Sequence, residues 1–425
     1  MKLLIKNGRV LDPGEKLDGL FDLLIVDGKI AEVRPGIRAQ ADKTIEVPGL
    51  IMTPGFIDLH VHLREPGFEH KETIASGSRA AARGGFTTVC CMPNTNPVND
   101  CPEITRLIIS KAAREAAVNV LPVAAVTRNQ RGLELAPILE LVEAGAVALS
   151  DDGQPVQSSA LMMEAMKKAA ELGVLLIDHC EEKSLAGAGL INEGRVSRLL
   201  GVKGIPAVAE EVMVARDIIL AKESGLPVHL AHLSTKGSVE LLSWAKDNQI
   251  PVTAEVTPHH LLLTEDALLT RDANYKVNPP LRTEEDVKCL RQALRDGLID
   301  IIATDHAPHA EEEKNQGLER APFGINGLET AIPALLDKLV KQNELSLRRL
   351  VEALSTIPAR LLKLDTRGKI KPGAVADLTL LNPEEVIFIS RENFQSKSLN
   401  TPFLGSHFQG AVTMTIVNGR VAYPF

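Results

Sequence analysis

Two histidines and an arginine alternate along residues 54–67, a stretch that begins apolar and ends polar. Alternate side chains of an extended strand share one face, so His60, His62 and Arg64 are predicted to point the same way. Two imidazoles at this spacing, about 6–7 Å apart at Cα, can bind one metal ion, and a guanidinium beyond them can hold an anionic substrate. The stretch predicts metal-assisted chemistry on an anion, with a surface strand carrying two incidental histidines as the alternative.

Residues of metal-ligand type also end four other apolar stretches, which close with Ser150-Asp151-Asp152-Gly153, Asp178-His179, His229-Leu-Ala-His232 and Thr304-Asp305-His-Ala-Pro-His309. Mixed imidazole and carboxylate ligands suit zinc, and two clusters joined by one carboxylate suit two metal ions about 3.5–4 Å apart. We expect His60 and His62 to bind one metal ion, and His179 and His232 to bind the other.

These residues need a scaffold that brings strand ends together. Between residues 54 and 365 short apolar strands alternate with helical stretches, and eight alternations are typical of a (β/α)8 TIM-like barrel, whose chemistry sits at the carboxyl ends of its strands. A doubly wound open sheet is the alternative, but no glycine-rich nucleotide-binding loop supports it. The strands are predicted over residues 56–63, 86–92, 118–124, 147–150, 174–178, 227–232, 252–256 and 299–304.

Helix signals lie between these strands. Ser158 or Ser159 is predicted to cap a helix that ends at Gly173, and Thr283-Glu-Glu-Asp286 reads as a capping box for a helix that ends at Gly297. Further helices are predicted over residues 103–117, 209–224, 238–248 and 346–363.

The two ends of the chain are predicted to form a smaller unit. Strand-like stretches flank Asn7-Gly8, Asp27-Gly28 and Asn418-Gly419, dipeptides that favour the left-handed turn of tight hairpins. Neither end carries enough apolar residues for its own core, so we expect both to pair in one β-sandwich. The predicted domains are residues 1–53 with 366–425 for the sandwich, and 54–365 for the catalytic barrel.

Composition argues against several classes of protein. The 425 residues carry a formal net charge of −8 and no Lys/Arg-rich run, which argues against nucleic-acid binding. Five cysteines without C-x-x-C spacing argue against a disulfide framework or a zinc knuckle. The apolar stretch at the N-terminus is too short for a signal peptide, and no membrane-length apolar run follows, so we expect a cytoplasmic location.

Several other residues are expected to have no part in metal binding. His229 lies on the opposite strand face from His232 and is assigned to packing. His259 and His260 are alternatives for a pocket wall. Cys90 and Cys91 are assigned to the core, and Cys180 is expected to face away from its neighbour His179. Three histidines are assigned to loops or the surface: His70, His306 and His407.

The charged segment 310–321 lacks residues expected in a core. Its length and charge indicate a mobile lid or a docking loop between His309 and Phe323, with a solvated loop of no function as the alternative.

Eight motifs together resemble the amidohydrolase superfamily, and within it the class I dihydroorotases. They are Gly55-Phe-Ile-Asp-Leu-His-Val-His-Leu-Arg-Glu-Pro-Gly67, Met92-Pro-Asn94-Thr, Ser150-Asp-Asp-Gly153, Asp178-His179, Ala231-His232-Leu-Ser-Thr, Asn278-Pro-Pro280-Leu-Arg, Ala303-Thr-Asp305-His-Ala-Pro-His309 and Pro322-Phe-Gly324. The resemblance covers essentially the whole chain, and a barrel beside a sandwich built from both termini also matches the superfamily.

The resemblance implies reversible cyclisation of N-carbamoyl-L-aspartate to (S)-dihydroorotate in pyrimidine biosynthesis, through a zinc-activated hydroxide. It implies two zinc ions per subunit, with Asp152 as their bridge and Asp305 as both ligand and catalytic acid/base; the full ligand set is His60, His62, Asp152, His179, His232 and Asp305. It also implies that the substrate carboxylate is bound by Arg64, Asn94 and His309. The contacts to the pyrimidine ring would come from Asn278, Phe323 and Gly324.

One departure discriminates within the superfamily. Hydantoinases and dihydropyrimidinases bridge their metals with a carboxylated lysine, whereas Ala148-Leu-Ser-Asp-Asp-Gly153 contains none. This favours a class I dihydroorotase and leaves the number of zinc ions open. Another cyclic amidohydrolase, of allantoinase or hydantoinase type, and a non-catalytic scaffold protein are the alternatives. The expected partner is the small-molecule substrate, and neither nucleic acid nor a membrane is expected to bind. A homodimer and an association with aspartate transcarbamoylase are left open.

Overall fold

The computed structural model describes residues 1–424, and its first strands form a sheet outside the barrel. Antiparallel pairing joins β1 to β2 and β2 to β3, whereas β4 and β5 lie parallel to β1; the strands are β1 (Lys2–Asp12), β2 (Leu17–Val26), β3 (Lys29–Arg34), β4 (Lys43–Glu46) and β5 (Ile51–Pro54). The β2–β3 hairpin turns at Asp27-Gly28, where both residues have positive φ, and this confirms the hairpin predicted there.

Asn7-Gly8 does not form the predicted hairpin. The strand β1 continues through this dipeptide, and its register with β2 shifts between Ile5 and Gly8, which makes the dipeptide a β-bulge. Asn7 has a φ of 62°. The prediction is wrong because a left-handed Asn-Gly pair suits a bulge as well as a turn, and the chain beyond it continues straight on to pair with β5.

Within the described residues eight parallel strands form the barrel, in the same order around the sheet as along the chain. Main-chain pairing of Val61 with His306, and the bond from His62 N–H to His306 O at 2.8 Å, join the first strand to the last. All eight predicted strands are confirmed, most of them somewhat shorter. The strands of this region, including the small separate pair β11–β12, are β6 (Phe56–Val61), β7 (Phe86–Cys91), β8 (Asn119–Ala124), β9 (Ala148–Leu149), β10 (Leu175–Asp178), β11 (Ile191–Asn192), β12 (Gly204–Ile205), β13 (Val228–Leu230), β14 (Val252–Val256) and β15 (Ile301–Ile302).

Helices connect and cover these strands. The predicted capping box is present, since Thr283 accepts from Asp286 N–H and Asp286 accepts from Thr283 N–H. The helix predicted over residues 346–363 is present as one run from Leu347 to Leu361, with a wider, π-helical turn at Glu352–Thr356. The helices are α1 (Ile74–Arg83), α2 (Pro102–Glu115), α3 (Ile138–Glu143), α4 (Ser159–Leu172), α5 (Lys183–Ala186), α6 (Arg195–Leu200), α7 (Val208–Ser224), α8 (Lys236–Asp247), α9 (Pro258–Leu262), α10 (Glu284–Arg295), α11 (Glu311–Lys314), α12 (Ala331–Leu335), α13 (Leu347–Val351) and α14 (Ile357–Leu361).

The C-terminal strands return to the first sheet. β16 (Leu378–Phe388) pairs with β5, and β17 (His407–Val417) and β18 (Arg420–Tyr423) extend the sheet beyond it. The β17–β18 hairpin turns at Asn418-Gly419, as predicted. Residues from both ends of the chain share one core beside this sheet, which is why neither end is apolar enough alone; they include Leu3, Ile5, Leu23, Met52, Ile370, Leu378 and Ile416.

Two expectations about burial are wrong. His306, expected in a loop or at the surface, is fully buried at the closure of the barrel, a long-range contact that local sequence does not reveal. The segment 310–321, expected to lack core residues, contains the buried residues Lys314 and Leu318, and Leu318 belongs to a small apolar cluster with Ile191. Cys90 and Cys91 are buried, as expected, and Cys180 is buried too. Among residues 1–424 no helix has the length and apolar character needed to cross a membrane.

Candidate metal centre and substrate pocket

Six residues of metal-ligand type converge at the carboxyl ends of five barrel strands. Each is at least 95% buried. They lie in or directly after β6, β9, β10, β13 and β15, and they are His60, His62, Asp152, His179, His232 and Asp305. The structure therefore brings together all the residues that the sequence predicted to be metal ligands.

His60 and His62 meet Asp305 across the barrel. His62 Nε2 lies 3.0 Å from Asp305 Oδ1, and His60 Nε2 lies 3.6 Å from the same oxygen. Two atoms bound tetrahedrally to one zinc at about 2.0–2.1 Å are about 3.4 Å apart. The three side chains are therefore spaced as ligands of one ion.

Asp152 lies between the two pairs of histidines. Its Oδ1 is 3.2 Å from His60 Nε2, 3.6 Å from His179 Nδ1 and 3.7 Å from His232 Nε2. Its Oδ2 is 3.5 Å from His62 Nε2. One oxygen of Asp152 therefore lies near His60 and the other near His62, and the pair His179 and His232 lies beside Oδ1, so this carboxylate is close to all four histidines.

The side chains present fit bound cations. His60 Nε2 is buried and has no hydrogen-bond partner among residues 1–424. His179 Nδ1 faces His232 Nε2 at 2.9 Å, a contact in which two lone pairs repel unless a proton or a metal ion lies beside them. The nitrogen and carboxylate donors match the preferences of zinc.

Opposite charges reinforce one another in the cluster. Burial alone would lower the pKa of His60, but the carboxylates of Asp152 and Asp305 raise it well above its usual value. Burial would raise the pKa of both carboxyl groups, yet His60 and the neighbouring histidines lower it below the usual range. Asp152 and Asp305 are therefore ionised, as metal ligands must be.

Asn94 and Glu255 orient the two histidines of β6. His62 Nδ1 donates to Asn94 Oδ1 at 2.9 Å, and His60 Nδ1 donates to Glu255 Oε1 at 2.8 Å. Each bond keeps a ring proton on Nδ1, so Nε2 is the nitrogen that faces the cluster and could bind a metal ion. Asn94, predicted to bind a substrate carboxylate, thus also holds a candidate ligand in place.

Sequence reasoning missed Glu255. This residue on β14 is fully buried, and it also accepts from His229 Nε2 at 3.1 Å and from His232 N–H at 3.3 Å. Burial would raise the pKa of Glu255, but the hydrogen bonds from His229 and His60 lower it to about 2. The available signal was a lone carboxylate inside the apolar strand Val252–Val256. His229, assigned to packing, is buried and supports this carboxylate.

Three residues of the site have left-handed backbone conformations. The φ angles are 62° at Arg64, 32° at His232 and 46° at Asp305. A non-glycine residue in this region costs about 1–3 kcal/mol, and such strain concentrates at functional sites. The strand β6 ends at Val61, so Arg64 reaches the site from the turn that follows this strand. We had predicted an extended strand there.

A cavity of about 370 Å³ opens beside the cluster. All the predicted substrate-contact residues line this cavity, namely Arg64, Asn94, Asn278, His309, Phe323 and Gly324. Glu181 and Lys183, which were not predicted, line it too. His259 and His260 are not among the lining residues. A larger groove of about 870 Å³ lies between α2, the start of β8 and the last strands, and none of the clustered ligands lines it.

Arg64 and His309 adjoin in this cavity but differ in what they can donate. Arg64 Nε donates to Pro308 O at 3.1 Å, and burial lowers the pKa of Arg64 to about 10, which keeps it cationic at neutral pH. His309 Nε2 donates to Phe323 O at 2.8 Å. Burial, with Arg64 and Lys71, lowers the pKa of His309, so this neutral ring has no second N–H for a carboxylate. Lys71, whose Nζ lies 3.4 Å from His309 Nδ1, is a nearby cation that the sequence analysis missed.

Glu181 connects three parts of the cavity wall. Its Oε2 accepts from Asn278 Nδ2 at 2.7 Å, and its Oε1 pairs with Lys183 Nζ at 2.7 Å. Lys183 Nζ also donates to Gly153 O at 3.1 Å, beside Asp152. Nothing in the local sequence distinguishes Glu181 from the adjacent, more exposed Glu182.

Gly324 allows two segments of the wall to approach closely. Its φ is 145°, and an added Cβ would lie 2.7 Å from Ala307 O and 2.9 Å from His309 Cδ2. Its N–H donates to Lys276 O at 2.9 Å. Glycine is therefore required here by both conformation and space.

A (β/α)8 barrel with a cluster of histidines and carboxylates at the carboxyl ends of its strands, beside a sheet made from both termini, is the architecture of the cyclic amidohydrolases. A solved L-hydantoinase (dihydropyrimidinase) from Arthrobacter aurescens has this fold, with a TM-score of 0.90 and 27% identity over 99% of this chain and 95% of that one. The chain is an enzyme of this class.

Sequence comparison narrows the class to one family. Residues 49–238 match the family model described as dihydro-orotase-like. The dihydroorotase of Syntrophus aciditrophicus (strain SB) is 48% identical over 425 residues, which cover 100% of this chain and 99% of that protein. The dihydroorotase of Pelotomaculum thermopropionicum is 50% identical over 421 residues, which cover 99% and 98%. The chain belongs to the dihydroorotase family.

Proposed function

We propose that the clustered residues hold two zinc ions and that the chain interconverts N-carbamoyl-L-aspartate and (S)-dihydroorotate. The observation that carries this proposal is the position of Asp152, an aspartate and not a lysine, between two pairs of histidines. Membership of the dihydroorotase family supports the choice of dihydroorotate as the substrate.

The roles of the ligands follow from their positions. His60, His62 and Asp305 would hold one ion, His179 and His232 the other, and Asp152 would contact both. When bound, the ions would polarise the ring carbonyl and lower the pKa of a water molecule from about 15.7 to about 7.

Asp305 is proposed as the acid/base. Its carboxylate lies at the cavity wall, with Oδ1 beside His62 Nε2. In the hydrolytic direction Asp305 takes a proton from water and gives it to the ring nitrogen as the bond from that nitrogen to the carbonyl carbon breaks. In the cyclising direction the ureido nitrogen bonds to the side-chain carboxyl carbon of the substrate while Asp305 removes the proton of that nitrogen. Asp305 passes this proton to the departing carboxyl oxygen, which leaves as water after taking up a second proton from solution.

Arg64 is proposed as the carboxylate anchor. Its Nε donates to Pro308 O and its Nη2 lies 3.3 Å from His309 Nε2, which leaves Nη1 available to a substrate carboxylate. His309 fixes Phe323 and thereby shapes the ring pocket, while Asn278 and the Phe323-Gly324 main chain adjoin the ring.

Substrate comparison tests this proposal against a hydantoinase-type activity. Dihydrouracil has the same ring as dihydroorotate without its carboxylate. Because Arg64 would pair with that carboxylate, we expect kcat/KM for dihydroorotate to exceed that for dihydrouracil by at least about 100-fold. A preference for dihydrouracil, hydantoin or allantoin would contradict the proposal.

Zinc as the metal, and two ions per chain, belong to the same proposal. Metal analysis of the purified chain should find about two zinc ions, and a chain that takes up none after supplementation would revive the scaffold alternative. The homodimer, the association with aspartate transcarbamoylase and the cytoplasmic location stay predictions of the sequence.

A further inference from the structure

Two buried lysines connect the segments that carry the proposed ring contacts, one segment around Asn278 and the other around Phe323. Lys314 belongs to α11 in the segment 310–321, and Lys276 lies two residues before Asn278. Both are buried, with 5% and 2% of their surfaces exposed. Buried lysines usually face carboxylates, but these two donate to main-chain carbonyl groups.

Lys314 reaches from its helix to both sides of the cavity wall. Its Nζ donates to Pro322 O at 3.0 Å and to Gly324 O at 2.9 Å, on either side of Phe323. It also lies 3.4 Å from Lys276 O. One lysine side chain therefore joins the main chain before and after Phe323 to the segment that leads to Asn278.

Lys276 makes the reciprocal connection. Its Nζ donates to Leu318 O at 2.8 Å and to Ala321 O at 2.7 Å, and it lies 4.7 Å from the centre of the Phe323 ring, a cation–π contact. Its main-chain oxygen accepts from Gly324 N–H at 2.9 Å. Each lysine thus ties its own segment to the main chain of the other.

We infer that Lys276 and Lys314 form a crossed latch that positions Phe323 and Gly324 relative to Asn278 for substrate binding. Lys276 and Lys314 are positioning residues, because they act through main-chain groups and the Phe323 ring. The latch also makes the segment 310–321 a fixed part of the wall, in place of the mobile lid. The link to binding rests on the proposed function, whereas the latch itself does not.

Hydrogen–deuterium exchange tests the latch without substrate. Methionine has nearly the length of lysine but no ammonium, so Lys314→Met and Lys276→Met each remove one side of the connection. We expect amide exchange in residues 310–324 to accelerate at least tenfold in both variants. Lys288→Met, at an exposed lysine on α10, should leave exchange unchanged. If one variant does not fold, the other decides, and unchanged exchange in a folded Lys276→Met or Lys314→Met chain would overturn the latch.

Steady-state kinetics test the positioning role. In both variants we expect KM for dihydroorotate to rise about tenfold, with kcat within about threefold of the parent and zinc content unchanged, because binding geometry is lost and the acid/base is not. The double variant should be little worse than the worse single variant, since the lysines act as one unit. Faster exchange with an unchanged KM would overturn the role in binding. Absence of dihydroorotate turnover in the parent chain would instead refute the proposed function and leave the exchange result standing.

Discussion

Glu255 offers a sharp test of how the metal centre is built. Its carboxylate accepts from His60 Nδ1 at 2.8 Å, from His229 Nε2 at 3.1 Å and from His232 N–H at 3.3 Å. Two of these donors belong to proposed zinc ligands. The change Glu255→Gln keeps the shape but removes the charge and replaces one acceptor oxygen by an NH₂ group.

The expected loss follows from these bonds. A hydrogen bond to a charged group contributes about 1.5–3 kcal/mol, and a neutral one about 0.5–1.5 kcal/mol. His229 can change tautomer to accept from the new NH₂, because its Nδ1 already contacts Thr253 Oγ1. The main loss is therefore at His60, about 1–1.5 kcal/mol, which corresponds to a zinc affinity about tenfold weaker.

Competition with a chromophoric chelator measures this affinity directly. Glu329→Gln is the matched control, since Glu329 is also a buried carboxylate that accepts main-chain N–H groups, from Gln395 and Ser396, outside the metal cluster. Glu255→Ala should weaken zinc binding further, because it leaves buried donors unpaired. A zinc affinity for Glu255→Gln within about twofold of the parent and of the control would refute the orienting role.

Three further changes probe other parts of the account. Arg64→Lys keeps the charge but loses the forked donors, so KM for dihydroorotate should rise at least about tenfold while kinetics with dihydrouracil stay unchanged; an unchanged KM would count against the anchor. Gly324→Ala places a Cβ 2.7 Å from Ala307 O at a φ of 145°, and should lower the free energy of unfolding by about 1–3 kcal/mol in urea titration; full stability would show that the wall can yield. Burial raises the pKa of Glu329 from the usual 4.5 to about 7, so its contribution to stability is fully present below about pH 4.5 and is lost as the pH rises through 7. Urea titrations of the parent at pH 5 and pH 8 should show this fall, and Glu329→Gln should reduce it; parallel profiles would contradict the assignment.

The barrel and the four histidines of the cluster could be predicted because both depend on local patterns, whereas Asp152 and Asp305 were assigned as ligands through the family resemblance. Apolar strands alternate with capped helices, and the carboxyl ends of parallel strands meet at one edge, so polar residues such as His179 and Asp305 at those ends had to converge. The same reasoning placed Arg64 on an extended strand, which is wrong because the strand ends at Val61 and Arg64 has a left-handed conformation.

What could not be predicted depends on contacts between distant segments. Asn7-Gly8 has the sequence of a hairpin turn, yet pairing with neighbouring strands makes it a bulge. His306 is buried by the closure of the barrel, and Lys314 by the segment around Lys276. In each case the deciding partner lies far away along the chain, where neither periodicity nor capping signals extend.

The most direct test of the central claim is dihydroorotate hydrolysis during zinc titration, with the parent chain and Asp305→Asn compared at equal zinc content. We expect parent turnover to rise with zinc to a plateau, and turnover by Asp305→Asn to be lower by about 10²–10⁴-fold, the contribution typical of a positioned acid/base. A parent chain inactive at full zinc occupancy, or an Asp305→Asn variant with near-parental turnover, would contradict the assignment of this site as the catalytic centre.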